Sequence, residues 1–346
     1  MKLLRFLLFP FAVLYNVVTT VRNWFFNIGV FKSRSFDIPV IAVGNLSVGG
    51  TGKSPQIEYL IRLLKDNYKI AVLSRGYKRK TEGFQLVNDT HSAEDVGDEP
   101  LQFYKKFKKD VMVAVDADRT NGIQQLLQRD NSPEVVLLDD AYQHRKVTAS
   151  SYILLTKYND LYVDDFVLPT GNLRESRRGA KRASVIVVTK CPEGLSKTEQ
   201  EKIVRKINPK SYQKVFFTTI VYDENLKGTE ELAISDLKDK EVLLVTGIAN
   251  PKPLLNFLKE KEIGFKHLNF PDHHNFTQQD ISNIKKAFKE LSSQQKIILT
   301  TEKDYMRLEG KVDHLSYISI KSDFLNEEQV FNSLVLEEIR RVKKTK

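Results

Sequence analysis

Short apolar runs separated by segments of helical spacing recur along this chain. Pro39-Val40-Ile41-Ala42-Val43 is followed by Ile57, Leu60, Ile61 and Leu64 at three- and four-residue intervals, which predicts a buried strand and then a helix. The alternation continues with strands predicted at 69–74, 111–115, 134–138, 152–156 and 184–189, and a helix carrying Ile123, Leu126 and Leu127. From about residue 183 the pattern restarts, with strands at 215–221, 241–246, 265–270 and 296–300 and helices at 252–262 and 277–291. The tail, 326–342, places Val330, Phe331, Leu334, Ile339 and Val342 on one side and ends basic, as an amphipathic helix does. No internal repeat or low-complexity linker interrupts the series.

The chain begins differently. Residues 3–18 are strongly apolar but are broken by Arg5, Pro10 and Asn16, short of the roughly 20 apolar residues that cross a bilayer. No small-residue cleavage site follows, as a signal peptide requires. Together with Trp24-Phe25-Phe26 and Lys2, Arg5, Arg22, Lys32 and Arg34, the run suits a helix lying in the bilayer interface. The other reading is a helix packed on the core. At 346 residues the chain is long enough for two domains. Its net charge of +10 points to an anionic partner. No module of interleaved basic and aromatic residues supports nucleic acid, so an anionic lipid surface or a phosphorylated substrate stays ahead. A single cysteine, Cys191, excludes an internal disulfide, and no Cys/His cluster has zinc spacing.

The chemistry centres on Ser47-Val48-Gly49-Gly50-Thr51-Gly52-Lys53-Ser54, between the first strand and its helix. Glycines let backbone N–H groups curl around phosphate oxygens, Lys53 reaches the β- and γ-phosphates, and the Ser54 hydroxyl is placed to ligate Mg²⁺. Ser47 stands where the general pattern has glycine. Downstream, Val135-Val136-Leu137-Leu138 runs into Asp139-Asp140, the arrangement of a metal-holding Walker B carboxylate. The motif that reads guanine is missing after the strands ending Thr156-Lys157-Tyr158-Asn159 and Thr189-Lys190-Cys191-Pro192, which favours ATP over GTP. A basic turn, Arg75-Gly76-Tyr77-Lys78-Arg79-Lys80, falls at the carboxyl edge of the sheet, where ligands of open parallel sheets bind. A second basic segment surrounds Arg174 and Glu175 and continues through Arg177, Arg178, Lys181 and Arg182. For a kinase, Asp98 and His273 are candidates to take an acceptor proton, although either residue type at these positions also serves structural roles.

The combination of Ile41–Pro55, Leu73–Tyr77, Gly97–Pro100, Asp139-Asp140 with Gln143-His144, Leu168-Pro169 with Leu173–Glu175, Pro271–His274 and Thr301–Asp304 closely resembles the tetraacyldisaccharide 4′-kinase family. Ser47 matches that family's own pattern. The resemblance runs from the amphipathic start to about residue 310. It implies an α/β fold: a P-loop NTPase-like, mostly parallel sheet domain with an N-terminal membrane-associated helix and a second, smaller α/β domain. The expected divisions are helix 1–30, kinase domain 31–182, second domain 183–322 and C-terminal helix 323–346. The implied reaction moves the γ-phosphate of ATP, with Mg²⁺, to the 4′-hydroxyl of a tetraacylated glucosamine disaccharide 1-phosphate, giving lipid IVA in lipid A synthesis. The implied place is the cytoplasmic face of the bacterial inner membrane, without an obligate protein partner. By resemblance, Asp98 and His273 act on the acceptor hydroxyl, Lys53 and Ser54 on phosphate and Mg²⁺, and Asp139, Asp140 and Glu175 near the metal. Arg75, Tyr77, Gln143 and Arg174 then line the substrate side. The rival expectation is a membrane-surface ATPase that remodels a partner and phosphorylates no lipid.

Overall fold

The fold follows from strands whose side chains are apolar on both faces and therefore need helices above and below them. It is taken from a computed structural model that describes residues 5–272 and 274–344. Strands β1 (Val40–Asn45), β2 (Ile70–Ser74), β3 (Gln85–Leu86), β4 (Val111–Val115), β5 (Val135–Asp139), β6 (Ser151–Lys157), β7 (Val185–Thr189) and β8 (Lys214–Tyr222) join one sheet. The chain then builds a second sheet from β9 (Lys227–Gly228), β10 (Glu241–Thr246), β11 (Phe265–Asn269), β12 (Lys296–Thr301) and β13 (Leu315–Ile318). It returns to the first sheet as β14 (Ile320–Phe324). The orders are β14-β8-β7-β6-β1-β5-β2-β4-β3 and β11-β10-β12-β13-β9, parallel except for the pairs made by β14, β3 and β9.

The helices are α1 (Phe9–Asn27), α2 (Lys53–Leu64), α3 (Ala93–Val96), α4 (Asp98–Phe107), α5 (Arg119–Leu127), α6 (Lys197–Ile207), α7 (Lys252–Glu260), α8 (Gln278–Lys289), α9 (Glu302–Leu308) and α10 (Glu328–Lys344). Ile57, Leu60 and Ile61 of α2 cover one face of the first sheet, joined by Phe331, Val335 and Ile339 of α10. Ile123 and Leu126 of α5 cover the other face. The second sheet is covered likewise by Leu254 and Leu258 on one side and Ile281 and Ile284 on the other. Each sheet is thus a sandwich of helices around strands, the expected α/β class.

The division expected at residues 182 and 183 falls inside the first sheet. Val185 of β7 lies opposite Ile153 of β6, and Lys214 of β8 opposite Val185. These runs restart the strand pattern because they extend the same sheet, so the second sheet occupies only 227–318, and β14 and α10 pack back on the first.

Helix α1 presents apolar side chains outward. Ala12 is its one buried residue, while Phe9, Phe11, Val13, Leu14, Val17, Val18, Val21 and Trp24 are exposed. Its inward contacts are polar. The Tyr15 hydroxyl donates to the Arg174 carbonyl at 2.8 Å, Arg22 to the Gln143 carbonyl at 3.1 Å, and the Asn23 amide to Glu175 at 2.7 Å. The alternative of a core-packed helix is therefore set aside. Among the described residues, no helix is long and apolar enough to cross a membrane.

Candidate active site

The site forms at the carboxyl ends of β1 and β5, neighbours whose register sets Val43 beside Asp139. After β1 the backbone turns through Gly49 (φ 96°) and Gly52 (φ 85°), left-handed positions that suit glycine, and α2 opens at Lys53. The loop is propped from both sides. The Val48 N–H donates to the Asn172 carbonyl at 2.8 Å, and Ser47 bridges to Leu173. The Thr189 hydroxyl donates to the Thr51 carbonyl at 2.8 Å, and Lys190 Nζ to the Gly50 carbonyl at 2.9 Å. Burial, with Lys157 and Lys53 nearby, lowers the Lys190 pKa. Lys53 Nζ lies 3.7 Å from Asp140 Oδ1.

Three carboxylates gather beside Lys53 and Ser54. Asp139 is buried at the end of β5, where Oδ2 accepts from the Ser74 hydroxyl at 3.1 Å and Oδ1 has no hydrogen-bond partner among the described residues. Burial first, then Glu99 and Asp140, push its pKa up to about 7, against the pull of Lys53 and Ser74. The Ser54 hydroxyl donates to Glu99 Oε1 at 3.1 Å. Asp140, at φ 46°, turns out of the strand, and Arg174 Nη1 donates to its two oxygens at 3.0 and 3.1 Å.

This chemistry fits Mg²⁺. Asp139 offers a buried carboxylate oxygen without a partner among the described residues, and Ser54 at the start of α2 and Glu99 at the start of α4 add a hydroxyl and an acid. Among the described residues, no group of three or more His, Cys, Asp or Glu could hold a metal by itself. Mg²⁺ asks for less, because it is held by one or two carboxylates with phosphate and water completing its shell.

Glu175 stands apart from this cluster. Its oxygens accept from Arg182 at 2.6 and 3.0 Å, from the Gln143 amide at 3.0 Å and from Asn23. Gly179 fits against it so closely that an added Cβ would lie 2.8 Å from Oε2. Gln143 spans this network and the P-loop strand, donating also to the Asn45 carbonyl at 2.9 Å. Arg75 and Tyr77 are exposed on the rim. Close by, buried Arg119 is lowered to about 10 by burial, an effect that Asp139 opposes and Arg75 reinforces. His144 is pushed down to about 4 by burial and by Arg119.

The second sheet reaches the same region through α9. Asp98 opens α4 behind Gly97 (φ 94°), and the Arg307 guanidinium forks onto it, Nε to Oδ1 at 2.8 Å and Nη2 to Oδ2. Arg307 Nη1 also donates to the His274 carbonyl at 3.2 Å. Asp304 accepts from the Gly247 N–H at 2.8 Å and the Thr301 hydroxyl at 2.7 Å. His273 lies outside the described residues.

A family model described as tetraacyldisaccharide-1-P 4′-kinase matches residues 4–340. The chain belongs to this family. A tetraacyldisaccharide 4′-kinase of Flavobacterium johnsoniae is 54% identical over 98% of both chains, and one of Flavobacterium psychrophilum 53% identical over 97% of both. Among solved structures, LpxK from Aquifex aeolicus in complex with ATP aligns with a TM-score of 0.79 at 31% identity, covering 97% of this chain and 99% of that one. Tetraacyldisaccharide 4′-kinases thus share this architecture across nearly the whole chain.

Of the residues singled out in the sequence, the fold gathers 47–54, Asp139, Asp140 and Arg174 into one cluster and sets Gln143 and Glu175 behind it. Four further residues to which the sequence assigned no site role reach this region: Glu99, Arg119, Lys190 and Arg307. Glu99 was the most accessible, because it follows Asp98 directly at the start of a helix.

Proposed function

We propose that this chain transfers the γ-phosphate of ATP to the 4′-hydroxyl of a tetraacylated glucosamine disaccharide 1-phosphate, giving lipid IVA, the lipid A precursor. The observation that carries the reading is the convergence of Lys53 and Ser54 with Asp139, Asp140 and Glu99 at one sheet edge. Backbone N–H groups of 48–53 and Lys53 hold the β- and γ-phosphates. Mg²⁺, held by Ser54 with Asp139 and its neighbouring acids, would supply charge neutralisation on those phosphates. Arg174 holds Asp140 beside Lys53, and Glu175 is a positioning residue that fixes Gln143 and Arg182 behind the loop.

Asp98 and His273 handle the acceptor. As the bond from the 4′-oxygen to phosphorus forms and the bridging P–O bond breaks, the hydroxyl proton passes to this pair and ADP leaves. Arg75 and Tyr77 supply a cationic, hydrogen-bonding rim for an anionic sugar lipid. Helix α1 brings that rim to the cytoplasmic face of the inner membrane. Its outward Phe, Leu, Val and Trp side chains enter the interface, and flanking Arg and Lys meet anionic lipid headgroups.

The test is transfer of label from γ-labelled ATP to detergent-dispersed tetraacyl disaccharide 1-phosphate by wild type, Lys53→Ala and His273→Ala. The expected result is labelled lipid that both substitutions reduce by orders of magnitude. Labelled lipid that survives His273→Ala would remove His273 from the acceptor chemistry. Free phosphate without labelled lipid, still dependent on Lys53, would replace the kinase by a membrane-surface ATPase.

A further inference from the structure

Helix α9 belongs to the second sheet, yet it is tied to two elements of the first. At one end, Arg307, 8% exposed, forks onto both oxygens of Asp98 at the start of α4. At the other end, Glu302 accepts from Lys106 Nζ at 2.9 Å, and the same ammonium lies 2.7 Å from Glu58 Oε2 of α2. Glu58 also accepts from Gln102 at 3.0 Å, and burial raises its pKa. Because α2 begins with Lys53 and Ser54, α9 is joined directly to the helix that presents Asp98 and, through Lys106, to the phosphate-binding helix.

An apolar contact would join these helices with less desolvation than two sets of buried charges. A guanidinium adds what an apolar contact lacks, a rigid two-point grip that fixes the plane of a carboxylate. A carboxylate has about four lone-pair sites, so two oxygens held by one fork can still accept further hydrogen bonds. The third donor of Arg307, at the His274 carbonyl, connects the same guanidinium to the 271–275 loop.

We propose that Arg307 is a positioning residue for the phosphoryl transfer. It fixes the orientation of the Asp98 carboxylate and holds it in register with the 271–275 loop and, through the Glu302–Lys106–Glu58 network, with the phosphate-binding helix. The inference rests on the reading of Asp98 as part of the acceptor-side pair. It adds a buried residue of α9 to the acceptor side of the site.

The experiment is steady-state kinetics of lipid phosphorylation by wild type, Arg307→Ala, Arg307→Lys, Asp98→Ala and Lys105→Ala, with and without added guanidinium ion. Lys105 pairs with Glu309 across the same α4–α9 contact but is more exposed and has no contact with Asp98. Misaligning an acceptor-side group is expected to lower kcat of Arg307→Ala on the order of a hundredfold. KM for ATP should stay within about twofold, because the P-loop is untouched. Guanidinium should restore about tenfold of the loss in Arg307→Ala and nothing in Asp98→Ala, since the ion can refill only the missing fork. Arg307→Lys, which keeps the charge and the fold, should lose about tenfold in kcat for want of the second grip. Lys105→Ala should match wild type.

Wild-type kcat in both Arg307 variants overturns the positioning role and leaves the kinase reading intact. So does a loss that Lys105→Ala shares and guanidinium does not restore, which would mark a packing effect. Thermal unfolding of each variant identifies a folding defect in Arg307→Ala, and Arg307→Lys then decides the question. A wild type that labels no lipid overturns both the inference and the reading beneath it.

Discussion

Replacing Asp139 by Asn should make the nucleotide-free protein more stable at pH 8 while abolishing phosphoryl transfer. Asp139 sits fully buried with Glu99 and Asp140 close by, and its pKa is raised to about 7. An unfolded Asp titrates near 4, so the folded protein binds the extra proton across about three pH units. A proton held more tightly by the folded state makes stability fall as pH rises from about 4 to about 7, and stay low above that. At roughly 1.4 kcal/mol per unit, the ionised carboxylate works against the fold by about 4 kcal/mol at pH 8. Asn removes the charge and keeps an acceptor for the Ser74 hydroxyl. Its amide then takes the place of Oδ1, which has no hydrogen-bond partner among the described residues, and an amide left unpaired there costs about 1–3 kcal/mol. The net gain is about 1–3 kcal/mol at pH 8. Urea unfolding without Mg²⁺ or nucleotide, at pH 8 and pH 5, measures it. A variant no more stable than wild type at pH 8, or an advantage no larger there than at pH 5, would refute the argument that Asp139 is held ionised against the fold.

Three other substitutions probe different links. Gly44→Ala places a Cβ 2.7 Å from the Tyr142 Cβ, in a buried contact that sets the turn after Asp140. Overpacking of this kind destabilises by about 1–3 kcal/mol, read as a lowered unfolding midpoint together with weaker ATP binding. Glu175→Gln leaves Arg182 without its buried carboxylate and should lower stability by about 3–5 kcal/mol. Because Glu175 lies outside the proposed metal set, the Mg²⁺ concentration for half-maximal activity should not change, and a large increase would put Glu175 back at the metal. Leu14→Ser with Val18→Ser removes two outward apolar side chains from α1, and co-sedimentation with anionic vesicles should fall by at least about tenfold. Activity on detergent-dispersed acceptor should persist, and unfolding instead of release from vesicles would return the helix to the core.

The P-loop, the acid-tipped strand downstream and the positions of most strands along the chain were legible because each is local. A run of four or five apolar residues, a glycine turn and a Lys-Ser pair all lie within one short window. The misplaced boundary at 183 has an equally physical origin. An apolar strand reads the same whether it starts a new sheet or extends an old one, and only pairing decides. Strand β14, Ile320-Lys321-Ser322-Asp323-Phe324, was invisible because its interior is polar, and β3 and β9 are two residues each. Arg307 meets Asp98 across 209 residues of sequence, a pairing that no spacing rule reaches. Glu175 is expected near the metal by resemblance alone, whereas folding gives it Arg182 and Gln143.

The reversed amphipathicity of α1 links its proposed placement at the membrane to the proposed chemistry at the phosphate. A soluble amphipathic helix buries its apolar stripe and hydrates its polar one. Here Tyr15, Arg22 and Asn23 face the protein and bond to the Arg174 carbonyl, the Gln143 carbonyl and Glu175. Arg174 grips Asp140, which lies 3.7 Å from the Lys53 ammonium. Two residues therefore separate the helix proposed to enter the bilayer interface from the cation proposed to hold the γ-phosphate. A lipid headgroup resting against α1 would meet the phosphate donor without leaving the interface, which matters when withdrawing each acyl CH₂ from the bilayer costs about 0.8 kcal/mol. The same chain of contacts predicts that Tyr15→Phe, which deletes one hydroxyl and leaves the apolar surface intact, lowers kcat with vesicle-borne acceptor while vesicle binding is unchanged. Equal loss of binding and turnover would mean that α1 acts as an anchor alone.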